Sequence, residues 1–285
     1  MNLLEQLLGL AETLVPLAAL FMLLGLWATM RRRGSLSPHL SREFSSNIGW
    51  YFFDGLIVVP SVLVVVAVFA FAVERVGLGG VLLGSYTSAW HPAAQFLLVV
   101  LASDLAGYWR HRLLHHPLLW PAHAVHHSDV AVHWLTLIRI HPLERWANAA
   151  FDTVILTLCG FPAEMIAANN LLRHYYGFWL HFDFRKRYGL LRHVFVSPSF
   201  HRWHHATDAA ARDRNFAVIF SFVDRMFGSF YLPAEEPERF GLGEDRQPVG
   251  FFEQLWMPFG MWSRAIAVWP RHRATAATAA ARRDS

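Results

Sequence analysis

Fourteen of the 17 histidines fall between His111 and His205, and many of them stand at helical spacings. His111 and His115 are at i and i+4. His123, His126 and His127 form an HxxHH cassette, and His201, His204 and His205 repeat it 78 residues downstream. Such spacings put imidazoles on one face of a helix, so each group can aim at a common region. Imidazole is the commonest metal-ligating side chain, whereas burying so many rings without partners would cost on the order of 1–3 kcal/mol each. Eight or more imidazoles exceed the four ligands of a single tetrahedral ion, which points to two metal ions. Ligand type alone does not choose among iron, zinc, copper and nickel.

Further candidates surround these boxes. Asp104 precedes His111 by seven residues and so lies on the same helical stripe, where a carboxylate would hold the outer nitrogen of a metal-bound ring. Asp183, just after His181, is a candidate for the same supporting role. His141, His193 and His174 are additional possible ligands. His116 and His141 each precede a proline, which disfavours helical backbone and suits a loop-ordering role. His133 is a structural candidate, and Asp152 is expected to pair with an arginine.

Competing chemistries lack their residues. Cys159 is the single cysteine, so neither a disulfide nor a cysteine metal site is available. No histidine box contains the carboxylate of an HExxH hydrolase motif. A metal transporter would place ionisable residues along its spans, and Thr13–Met30 and Gly55–Val73 have none. There is no GxGxxG, no P-loop and no cysteine set for an iron–sulfur cluster, so electrons for any redox step must come from a separate partner.

The elements that must position these histidines are apolar. Hydrophobic residues make up 54% of the 285 and charged residues 16%, with a mean hydropathy of +0.28. That is too little polar surface for an ordinary soluble globule, and it predicts an all-α integral membrane protein. Thr13–Met30, Gly55–Val73 and Pro92–Trp109 are expected to cross the bilayer. The stretch from Trp146 to His181, broken by Gly160, Phe161 and Pro162, is expected to form a helical hairpin. Arg31–Arg33 and the basic run Arg185, Lys186, Arg187 and Arg192 assign the histidine-bearing ends to the cytoplasm by the positive-inside tendency. The net charge of +4 comes almost wholly from arginines scattered around apolar segments, which reads as flanks of membrane spans and not as a nucleic-acid footprint. The expected organisation is N-terminal transmembrane segments over 1–91, a catalytic region over 92–232 and a C-terminal cytoplasmic segment with a flexible tail over 233–285.

The boxes taken in order resemble the fatty acid hydroxylase and sterol desaturase superfamily. The resemblance covers about residues 96–232: HxxxH at His111, WxxHxxHHS from Trp120, Arg139-Ile-His141-Pro-Leu-Glu144, the lone His181, and SPSFHRWHH from Ser197. Asn215-Phe and Val223-Asp-Arg-Met-Phe-Gly228 resemble the closing segment of that superfamily. What the resemblance implies is a membrane di-iron oxygenase that hydroxylates or desaturates a lipid, with a cytoplasmic cap holding both ions. By position, His111 and His115 match the first box, His123, His126 and His127 the second, His201, His204 and His205 the third, and His181 the additional histidine. The resemblance further implies two iron ions, O2 as co-substrate, and a cytochrome b5 or ferredoxin type donor fed by NAD(P)H. Members resembling the lipid hydroxylases often carry another histidine four residues before the equivalent of His181. That position is Gly177 here, so His141, His193, His174 or water would complete one site.

Overall fold

The computed structural model describes residues 38–87, 89–243, 248 and 250–265, with isolated positions at 20, 23 and 27. The expected span Thr13–Met30 and the tail beyond residue 265 lie outside the described residues, those three helical positions excepted. Among the described residues the fold is helical, with one isolated β-bridge between Ala206 and Phe240.

Helix α1 (Pro38–Phe53) runs through a π turn (Asp54–Val58) into α2 (Val59–Arg75). Pro60 explains the wide turn: it has no N–H to give, and its ring would collide with the carbonyl four residues back. Glu43–Arg75 and α3 (Pro92–Leu114) are long and apolar enough to cross a membrane. Leu56 in the π turn and Leu63 and Phe71 on α2 are exposed, a surface that suits lipid. Beyond α4 (Trp120–His127) come α5 (Pro142–Cys159) and α6 (Ala163–His181), the two arms of the expected hairpin. At about 1.5 Å per residue each arm is roughly 27–28 Å long, close to the hydrocarbon thickness. It turns on Gly160, whose φ of 73° few side chains tolerate. A Cβ at Gly160 would lie 2.6 Å from the Cα of Gly80, so the loop after α2 closes directly over this turn.

Proline opens three of the elements that carry the site. Pro92, Pro142 and Pro198 follow His91, His141 and Ser197, each of which caps its helix by accepting from a backbone N–H in the first turn. Proline suits that place because its φ is already helical and its missing N–H would have had no partner. Helix α7 (Pro198–His204) and α8 (Ser221–Met226) complete the histidine-bearing end. Residues 251–265, expected only as part of the C-terminal segment, form α9. It is pinned to α1 by the buried Gln254, whose Oε1 accepts from Ser46 Oγ at 2.8 Å and Trp50 Nε1 at 2.7 Å.

A fully buried ionic group docks α1 onto the segment after α4. Arg139 donates to Glu43, to Asn47 Oδ1 at 2.7 Å and to Ser128 Oγ at 3.2 Å. Asp129 accepts from Thr136 Oγ1 at 2.6 Å and Asn47 Nδ2 at 3.2 Å. Burial opposes its ionisation, yet Arg139, His133 and the hydrogen bonds from Thr136 and the Ala131 amide hold the carboxyl down to about 2. His133 caps the short helix Trp134–Ile138 and belongs to this structural group.

Candidate metal centre

The nine histidines of the boxes meet at one end of the bundle and divide into two clusters. His111 and His115 at the end of α3, His123 and His127 on α4, and His204 on α7 form the first. His126 on α4, His181 at the end of α6, and His201 and His205 at α7 form the second. Within each cluster one nitrogen per ring lies within 4.8 Å of every other. Each HxxHH cassette, expected to aim at one region, is shared between two. On α4, His123 and His127 face one cluster and His126 the other; on α7, His204 faces the first while His201 and His205 face the second. The clusters abut, with the rings of His127 and His205 stacked at 4.5 Å.

The spacing of the nitrogens fits metal ligation. In the first cluster Nε2 of His123 is 3.1 Å from that of His111 and 3.2 Å from that of His127. In the second, Nε2 of His201 is 3.0 Å from that of His181 and 3.2 Å from that of His205, and His126 is 3.4 Å from His181. Ligands at about 2.1 Å from one ion are about 3.0–3.4 Å apart at right or tetrahedral angles. The Nε2 atoms of His115 and His204 are buried in the first cluster without a hydrogen-bond partner.

Five of the nine outer nitrogens are held by the protein, which fixes in those rings the tautomer that leaves Nε2 free. His111 Nδ1 donates to the Phe216 carbonyl at 2.8 Å, His204 Nδ1 to that of Arg214 at 2.8 Å, and His181 Nδ1 to that of Gly177 at 2.7 Å. Carboxylates hold two more: Glu144 Oε1 is 3.1 Å from His123 Nδ1, and Asp213 Oδ1 is 3.1 Å from His115 Nδ1. Burial, reinforced by neighbouring imidazoles, pushes His123, His127, His201 and His205 well below the usual histidine range. The same causes bring His204 to about 3. At neutral pH these rings are uncharged, as a metal ligand must be.

Residues 96–229 match the fatty acid hydroxylase family. This stretch is a fatty acid hydroxylase domain. The chain is 32% identical over 181 residues to alkylglycerol monooxygenase of Danio rerio, covering 61% of this chain and 39% of that protein. It is 29% identical over 177 residues to ornithine lipid hydroxylase OlsE of Rhizobium tropici, covering 61% and 53%. A rice very-long-chain aldehyde decarbonylase, from Oryza sativa subsp. japonica, is 26% identical over 152 residues, covering 48% and 46%. The chain thus spans between about two fifths and a half of these relatives. No solved structure matches it.

Elsewhere in the hydroxylase domain the other candidates take structural places. Asp104 reaches no histidine in a hydrogen bond; it accepts from the amides of Val218, Ile219 and Phe220 at 2.7–3.1 Å and pairs with Arg173 at 2.9 Å. It thereby ties the 214–220 segment, whose carbonyls hold His111 and His204, to α3. Asp183 pairs with Arg202 at 2.9 Å, beside His201. His141 is the cap of α5, and its other nitrogen donates to the Leu255 carbonyl at 3.1 Å. His193 and His116 are exposed and outside both clusters. At Gly177 a Cβ would meet Leu137 at 2.9 Å, so a histidine there would not fit without repacking, and the second cluster has four histidines without it.

Glu144 and Asp213 are the supporting groups that sequence reasoning did not assign. Glu144 sits inside the quoted Arg139–Glu144 stretch, and its place one turn into a His-Pro-capped helix was the available signal. Asp213 has a φ of 55°, and no spacing rule points to it.

A cavity of about 1100 Å³ rises from the clusters between α2, α3, α5 and α6. His111, His123, His126, His181 and His201 line its base, and Val66, Ala70, Leu156, Phe161 and Ile166 its far end. Leu63 lines the cavity and is 65% exposed, so α2 is the wall that separates it from the lipid-facing surface.

Proposed function

We propose that this chain is a membrane-bound, iron-dependent oxidoreductase that uses O2 to hydroxylate or desaturate a C–H bond of a lipid. The observation that carries the proposal is the placement of two buried histidine clusters at the base of a long, largely apolar cavity. His111, His115, His123, His127 and His204 would hold one iron, and His126, His181, His201 and His205 the other. Iron bound there supplies, with O2, the oxidising power that an unactivated C–H bond demands.

The chain's own groups do the rest. The Phe216, Arg214 and Gly177 carbonyls, with Glu144 and Asp213, keep the outer nitrogens of His111, His204, His181, His123 and His115 protonated and their inner ones available. The apolar walls exclude water and hold a chain alongside the base of the cavity. The relatives named for lipid hydroxylation support a lipid substrate, of sterol, fatty acyl or related class. In hydroxylation one oxygen atom enters the C–H bond and the other leaves as water, which takes two electrons and two protons. The electrons come from a separate partner, which the family resemblance makes a cytochrome b5 or ferredoxin type donor fed by NAD(P)H. The basic flanks at Arg31–Arg33 and Arg185–Arg192 support a multi-pass protein with the clusters on the cytoplasmic side.

The test is metal content and product together. Purified protein in nanodiscs should hold about two irons per chain, and His126→Ala and His204→Ala should each lower the iron and abolish product. Lipids of cells with and without the gene should differ by one species carrying an added oxygen atom or lacking two hydrogens. Normal iron in His126→Ala, or product formed without O2 or reductant, would overturn the proposal.

A further inference from the structure

The cavity is not apolar throughout. On α5, Glu144, Asn148 and Asp152 stand at successive turns facing it, about 6 Å apart along the helix axis. Arg110 from α3 and Asn170 and Arg173 from α6 line the same level. Asp152 faces Arg110 at 3.3 Å, and Arg173 is engaged by Asp104. Three oxygens of this collar are buried without a hydrogen bond. Asp152 Oδ1 faces the Arg110 cation, whereas Glu144 Oε2 and Asn148 Oδ1 accept nothing, and the other side of these two groups is used: Glu144 Oε1 faces His123, and Asn148 Nδ2 donates to Glu144 at 3.4 Å. Glu144 itself is only 4% exposed.

Polar groups at membrane depth are costly and are kept where they face a cavity and serve a ligand. An acceptor buried without a donor carries a desolvation penalty that a bound donor would remove. The collar begins beside His123 and extends about 12 Å, and the stretch beyond it, past Leu156 to Phe161 and Ile166, is apolar. We infer that the collar is a head-group subsite: it takes a lipid whose head donates hydrogen bonds, through hydroxyl or ammonium groups, to Asn148 and Glu144, with the hydrocarbon in the far end. This rests on the lipid-oxygenase reading and sharpens it. A head seated beside the histidines puts the oxidised C–H bond at or next to the head group, not in the middle of the chain.

The experiment measures binding with the full-length, metal-containing protein in detergent, without reductant, so that no turnover occurs. Hexadecylglycerol, hexadecylamine and methyl hexadecyl ether share a chain length and differ in the donors they carry. At least one of the first two should raise the thermal midpoint in a saturable way and the ether should not; which of them does so identifies the head as hydroxyl or ammonium. Asn148→Leu should weaken that binding about tenfold, and Asn148→Asp, which keeps an acceptor, should retain it, each shift being read against the lipid-free midpoint of the same variant. Equal stabilisation by the ether, or full binding by Asn148→Leu, overturns the subsite. The comparison of the three lipids stands even if a variant fails to fold. The oxygenase reading fails on different grounds, by absence of iron or of O2-dependent product.

Discussion

Glu144 holds His123 from behind, and that contact has a measurable worth. Removing a carboxylate that orients a metal-bound histidine costs about 10–100-fold in metal affinity, so Glu144→Leu should lose iron to a chelator at correspondingly lower concentration. Glu144→Gln keeps an oxygen for His123 Nδ1 and should stay close to wild type. The buried rings themselves make stability depend on pH. His123, His127, His201, His204 and His205 are pushed down in the folded protein, while in the unfolded chain they titrate near 6.5. Between those values the unfolded chain binds more protons, so the metal-free protein loses stability as pH falls below about 6.5 and continues to lose it towards about 3. A thermal midpoint of the metal-free protein that stayed flat from pH 7 to pH 5 would contradict this. At this scale the sequence was generous with the ligands, because i, i+3 and i+4 spacing is local. It was silent about their supports, because the carbonyls of Phe216 and Arg214 approach His111 and His204 only through the tertiary fold.

At the scale of elements, the hairpin α5–α6 fixes where the cavity ends. Gly160 adopts a left-handed backbone against Gly80, and the amides of Gly80 and Leu82 donate to the Thr157 and Leu158 carbonyls, both at 2.9 Å. Gly160→Ala adds a methyl where the facing backbone is already in contact, an overpacking that costs about 1–3 kcal/mol. We expect a lower denaturation midpoint with unchanged iron content, since the turn lies at the opposite end of α5 from Glu144. Iron loss in that variant would mean that the two ends of the hairpin are not independent. The turn was readable from Gly160-Phe-Pro162 alone. The lengths of the arms were harder to read, because Glu144, Arg145, Asp152 and Arg173 interrupt their apolar pattern. Those same residues pair across the bundle or line the cavity, which is why the pattern breaks. The helix over 251–265 was not legible either: its anchor, Gln254, is a single polar residue buried against α1, and no period announces it.

Over the whole molecule, composition indicated a membrane protein and motif order indicated the hydroxylase domain, but the division of labour among the helices required three dimensions. A cassette read as one group of three ligands is split two to one on α4 and one to two on α7, and the split is complementary. No single helix owns an ion. Whichever site fills first must draw α4 and α7 into the relation that the other also needs, so loading of the pair is expected to be cooperative. An anaerobic Fe2+ titration should then be sigmoidal, and two independent hyperbolic steps would argue against it. The distance between the two clusters is likewise set by the pitch of two short helices. A disturbance that shifts either helix as a rigid body moves histidines of both clusters at once, so this centre is built to be whole or lost, with little room for a half-assembled form.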